Sequence, residues 1–187
     1  PVYDIEATAF RRAFALPDPG WMWSVDVPAF SLRFVALDLH HTRDIGTTWQ
    51  SCHAYDAKSE QYRWYRRVTE QAANRRMVTL YNAQNNAVRG LAGGIWRPLL
   101  KRNVLCVAGF GHFAERAEAD GVTYLNTSLI GRGDRYPDPR SKFLASEDNY
   151  VLLTATRSAD GVRLVASIKS LDGRVLDSVD VTGGARQ

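Results

Sequence analysis

His112 closes the glycine-flanked turn Gly109, Phe110, Gly111, His112, which links the apolar run 104–108 to the stretch leading into 122–128. Three further histidines, His40, His41 and His53, fall in the polar stretch 40–58 together with Arg43 and Asp44. Imidazoles are the side chains that bind transition metals or move protons near neutral pH. Loops backed by rigid strands are where such groups are commonly held. Adjacent histidines on an extended segment point to opposite sides, so His40 and His41 cannot chelate one metal without a turn between them. They read as polar loop residues, with contact to a substrate as the functional alternative. Arg132 and Arg135 read as solvated loop arginines that could otherwise hold phosphate, and Glu115 with Arg116 as a structural ion pair. Neither Cys52 nor Cys106 has metal-type spacing, and Cys106, inside an apolar run, reads as a small buried hydrophobe.

These groups need strands and helices to position them. The segment 9–17 reads as a short helix halted before Pro17, and Asp18, Pro19 and Gly20 as a turn. Alternating apolar residues predict a strand over 21–27, and the mostly apolar run 31–39 predicts a second, joined to it as a hairpin through Pro28, Ala29 and Phe30. A long loop follows. The clearest helix spans 59–74, with Ser59 as N-cap, Glu60 in the first turn, and Tyr62, Tyr65, Val68 and Ala72 on one apolar face. Strands over 77–81 and 104–109 flank a short helix at 94–102, an order that makes the two strands parallel neighbours joined by a right-handed crossover. Strands are also predicted over 122–128, 149–157, 162–170 and 174–181, the last three joined by hairpin-type turns at 158–161 and 171–173. The stretch 129–143 reads as loop. The fold class is therefore α/β of the α+β type, a mixed sheet followed by antiparallel C-terminal strands.

With 187 residues and 45% hydrophobic content, the chain can bury about 70% of its unfolded surface, enough for a single domain over 1–187. Lys and Arg number 24 against 20 Asp and Glu, a net charge of +4. The basic residues are interspersed, not gathered on one face, which argues against a nucleic-acid partner. No stretch of about 18 uninterrupted apolar residues occurs, so no transmembrane helix and no membrane partner are expected.

The order of the segments 14–38, 59–71, 76–86, 99–133 and 149–178 resembles the C-terminal half of the calcineurin-like metallophosphoesterases, nearest the purple acid phosphatase-like branch. The resemblance implies a portion of a four-layer α/β/β/α sandwich whose strand-end loops hold two iron, zinc or manganese ions and hydrolyse phosphate esters. Two cations about 3.5–4 Å apart neutralise the phosphate oxygens and lower the pKa of a bound water. In the family this half supplies a His-x-Pro and a Gly-His-x-His turn. Here Asn82 stands at the first histidine position and Phe110 at the second, leaving His112 as the imidazole; on the same mapping Asn82 is a weak ligand to one metal and His112 a ligand to the other. The strand-end loop bearing His40 and His41 corresponds to the substrate side. The family's aspartates precede the segment that matches, so an upstream segment or a second copy is expected to cover the half-sandwich. Two functions follow: a metal-dependent phosphoesterase whose missing ligands come from elsewhere, or an inactive member serving as a binding or scaffolding module. The resemblance also points to secretion or a periplasmic location.

Overall fold

The computed structural model describes residues 8–14, 20–40, 46, 52–72, 74–133 and 135–183. The N-terminal helix α1 (Thr8–Ala13) ends before the expected stop at Pro17, and the turn residues Asp18 and Pro19 lie outside the described residues. Strands β1 (Trp23–Val27) and β2 (Leu32–Ala36) form the expected antiparallel hairpin. Its link is the 3-10 turn Pro28–Phe30, closed by Ser31 in a left-handed conformation at φ 50°. Helix α2 (Glu60–Gln71) starts where Ser59 Oγ accepts the Tyr62 N–H at 3.2 Å. It buries Tyr65 and Val68 against β3 (Arg76–Tyr81) and its neighbours.

Helices α3 (Asn85–Gly94) and α4 (Trp96–Leu100) then carry the chain to β4 (Asn103–Ala108), parallel to β3. Helix α3 is an element that the sequence pattern does not announce. Its interior breaks at Leu91, Ala92 and Gly93, the last two at positive φ, which weakens the periodic signal. Strand β5 (Ala114–Ala119) is likewise absent from the sequence-based expectation, because Ala-Glu-Arg-Ala-Glu-Ala has a helix former's composition. Its alternation places Ala114 on one face and Ala117 and Ala119 on the other. Asp120 and Gly121, both at positive φ, make the tight turn to β6 (Val122–Asn126). Strand β7 (Ser141–Ala145) completes the sheet, although its first residues fall in the stretch that reads as loop.

The result is a seven-stranded mixed sheet in the order β1-β2-β3-β4-β6-β5-β7, with β2, β3, β4 and β6 parallel. A second, antiparallel sheet of β8 (Asn149–Ser158), β9 (Gly161–Ser170) and β10 (Val175–Asp180) lies in the order β10-β9-β8. The large sheet is apolar on both faces. One face, with Val35, Met77, Cys106 and Tyr124, packs on α2, α3 and α4; the other, with Leu32, Val78, Leu105 and Leu125, packs on Leu164, Ala166 and Ile168 of β9. Under the helices Tyr65, Thr79 and Asn103 close a buried ring of hydrogen bonds of 2.6–2.9 Å. Trp96 Nε1–H donates to the Tyr55 carbonyl at 2.8 Å. Across the sheets Arg116 Nε meets Asp177 at 2.6 Å. The expected pairing of Glu115 with Arg116 does not form, since neighbours on a strand face opposite ways; Arg116 pairs with Glu118 and Asp177 instead.

Ile168 is 1% exposed between the sheets, whereas Leu152 is 44% exposed on β8. Ile168→Ala is expected to lower stability by about 2–5 kcal/mol through lost burial and the cavity left behind, and Leu152→Ala by about 0.5 kcal/mol or less. Urea midpoints of the two variants check the difference.

Candidate functional site

The C-terminal ends of β2, β3, β4 and β6 lie at one edge of the large sheet, because these strands are parallel. Over that edge the small sheet does not cover the large one. Asn149, the first residue of β8, donates its N–H to the Ser128 carbonyl just beyond β6, at 2.9 Å. Further along, β8 approaches the Pro28–Phe30 turn that precedes β2. It thus crosses obliquely over β4 and β3, as packed sheets do, and leaves the strand ends open on one side. The opening is a cavity of about 970 Å³ lined chiefly by Phe34, Leu80, Val107, Phe110, Val151 and Leu153, with Leu129, Ile130 and Tyr136 at its rim.

His112 lines this cavity and is exposed. Its ring rests on Gly133, where any Cβ would overlap the ring at Nδ1, and its carbonyl accepts the Gly133 N–H at 3.2 Å. The turn holds Gly111 at φ 85°. Phe110 lines the same cavity, and His40 meets its ring edge-on with centroids 5.6 Å apart. Asn82, just past β3, is exposed and outside the cavity wall. The structure therefore brings His40, Phe110 and the His112 turn together at the cavity, whose wall does not include Asn82. His41, Arg43 and Asp44 lie outside the described residues. Arg132 and Arg135 are exposed in the loop at the cavity rim.

Two polar arrangements near the strand ends have no counterpart in the sequence-based reading. Asp38, following β2, accepts both the backbone N–H and Nδ1 of His53 at 2.8 and 2.7 Å, while Gln61 holds the Asp38 backbone on both sides. His53 stacks on Trp21 with ring centroids 3.8 Å apart, and its Nε2 is buried with no hydrogen-bond partner among the described residues. The signal available was a carboxylate at the end of an apolar run. Below the cleft, Glu115, 2% exposed, accepts the Asp138 N–H at 2.7 Å, and Asp138 pairs with Arg89 at 2.7 Å. The Arg89 guanidinium also lies 4.7 Å from the centroid of the Tyr124 ring. Burial raises the Glu115 carboxyl above its ordinary value, against the opposing pull of the Asp138 N–H.

The described residues do not fit a pair of metal ions. A two-metal centre needs carboxylates and imidazoles converging from several strand ends, and here one converging position is a phenyl ring and another an exposed amide. No group of three His, Cys, Asp or Glu side chains among the described residues could hold a metal ion. No helix among them is long and apolar enough to cross a membrane.

No family model and no curated protein match the chain. Among solved structures it is similar to GAP50, described as the anchor in the inner membrane complex of Plasmodium, with TM-score 0.55 at 14% identity, covering 88% of this chain and 55% of that one. A hypothetical protein from Thermus thermophilus is matched with TM-score 0.36 at 13% identity, over 86% of this chain and 60% of that one. The chain thus spans little more than half the length of these structures, and the likeness to GAP50 is one of fold.

Because the Glu115 carboxyl is raised above 4.5 in the folded chain, the folded state holds this proton more tightly than the unfolded state. Its contribution to stability is complete below about pH 4.5 and is lost as pH rises through the folded value. Glu115→Gln retains an oxygen to accept the Asp138 N–H and cannot ionise. The variant is expected to gain stability relative to the parent chain as pH rises from about 4.5 to about 8, read as the difference in urea midpoints.

Proposed function

We propose that this chain is a metallophosphoesterase-like half-sandwich used as a non-catalytic binding module, with its strand-end cleft as the binding site. The observation that carries the reading is the apolar cavity with Phe110 in its wall, at the position where the sequence resemblance calls for a metal-binding imidazole. An apolar wall of that kind would strip water from a phosphate ester without replacing its hydrogen bonds, a cost of several kcal/mol or more for a charged group. It suits a hydrophobic occupant instead. GAP50 is described as an anchor, and an attachment role for this chain agrees with that. In this reading the outer layers of the four-layer sandwich are completed by an upstream segment or a second copy, and the protein works in a secreted or periplasmic setting.

A phosphoesterase acting through iron, zinc or manganese is the second reading. It is favoured by the placement of His112, His40 and Asn82 at the same ends of parallel strands. It requires aspartates from outside the chain.

Metal analysis after loading with iron, zinc and manganese, together with hydrolysis of p-nitrophenyl phosphate and bis-p-nitrophenyl phosphate, separates the two. Substoichiometric metal and turnover no greater than buffer are expected, and the double change Asn82→His with Phe110→His is expected to raise metal content. Stoichiometric metal with turnover that disappears in His112→Ala would overturn the binding-module reading.

A further inference from the structure

We propose that the outer face of the helical layer is an adsorption surface for membranes rich in anionic phospholipid, held by charge and without insertion. Basic residues that are interspersed along the chain are unequally shared between its layers. Residues 58–102, which form α2, β3, α3, α4 and their links, hold ten Lys and Arg against two Glu, a net +8. The whole chain is +4, so all other residues together sum to −4.

Helix geometry turns this excess outward. In α2 the buried residues Gln61, Tyr65, Val68 and Thr69 occupy one side, so Arg63, Arg66 and Arg67 stand on the other and are exposed. In α4 and just after it, Trp96 and Leu100 are buried while Arg97, Lys101 and Arg102 are exposed. The two helices are neighbours on one face of the large sheet, with the Tyr62 ring edge-on to Trp96 at 5.3 Å between centroids. Arg97 and Lys101 share Asp120 at 2.8 and 3.9 Å, and Arg66 lies 3.7 Å from Glu70. Arg63, Arg67 and Arg102, with the exposed Lys58, meet no carboxylate among the described residues.

This face is finished as a protein surface. The helices close over the sheet, and none of the exposed large apolar residues falls between 58 and 102. It also lies on the side of the large sheet away from the cleft. Protein interfaces are built around an apolar centre, which this face lacks. Single-stranded nucleic acids are held on exposed aromatic rings, whereas Tyr62 and Trp64 are packed against the core. Two adjacent rows of cations instead match a plane of negative charge, where each Lys or Arg is attracted within about 10 Å of the headgroups. The apolar side of α2 is already spent on the core, so contact is electrostatic and needs no spanning segment.

The test is flotation of the full chain with vesicles. Phosphatidylcholine and phosphatidylglycerol at 7:3 are expected to carry the protein at 50 mM NaCl, phosphatidylcholine alone is not, and binding should fall at least tenfold by 500 mM NaCl. The triple variant Arg63→Ala, Arg67→Ala, Arg102→Ala should bind at least tenfold more weakly while circular dichroism shows the fold retained; Arg63→Gln with Arg67→Gln serves if that variant unfolds. Lys142→Ala, Arg157→Ala and Lys169→Ala together remove the same charge from strands and should change binding less than about twofold. No binding to anionic vesicles, equal binding to phosphatidylcholine, or equal weakening by the two triple variants would each overturn the proposal. So would a 20-base-pair DNA duplex that displaces the vesicles at equal phosphate concentration and loses affinity in the first triple variant, since the occupant would then be nucleic acid. Metal content and ester hydrolysis report on the cleft alone, so the two faces stand or fall separately.

Discussion

The large sheet is apolar on both faces, and everything else in the structure answers to that. Parallel strands of this kind are stable only when covered on both sides. On one side the chain covers them itself, with α2, α3 and α4 closing over Val35, Met77, Cys106 and Tyr124. The buried ring of Tyr65, Thr79 and Asn103 shows how tightly that side is closed, since three polar groups there satisfy one another without water. On the other side the described chain offers three strands. Their oblique path covers Leu32, Leu105 and Leu125 well and leaves Phe34, Leu80 and Val107 half-buried. The cleft is thus the part of this face that the small sheet does not cover, and its apolar character follows from the strands that floor it.

That origin separates the cleft from the polar groups around it. Glu115, Asp138 and Arg89 lie beneath the strand ends and serve the loop 129–140: Glu115 holds the Asp138 N–H, and Asp138 in turn holds Arg89 and the Arg140 N–H. Asp38, Gln61 and His53 serve the other rim in the same manner, fixing the chain after β2 to the start of α2. Asp38, Glu115 and Asp138 each accept a backbone N–H. These carboxylates brace the walls around an apolar space.

Much of this is legible in the sequence where local pattern and tertiary demand agree. Ser59 and the spacing of Tyr65 and Val68 specify α2, and the turns at 158–161 and 171–173 specify the small sheet, because each signal is local. The failures share a cause. In β5 the alanines are helix formers by propensity, yet Ala114, Ala117 and Ala119 are buried in the sheet, and packing overrides propensity. In α3 the break at Leu91 to Gly93 hides the period. The expected pair of Glu115 and Arg116 fails because the segment is a strand, and a pair that a helix surface or loop could form is forbidden across a pleat. The cleft itself is not legible, as it depends on the angle between two sheets, which no local pattern encodes.

The same contrast separates what a fold requires from what a site requires. Many positions of the two cores accept any apolar residue of similar volume, so the architecture tolerates wide divergence. A two-metal site depends on a handful of side chains, each of which must be of one type at one place. Phe110 adds apolar surface to the cavity and edge-on contact to His40, and its phenyl ring offers no donor to a metal. Fold likeness alone does not fix what this cleft does, which rests on the side chains that line it.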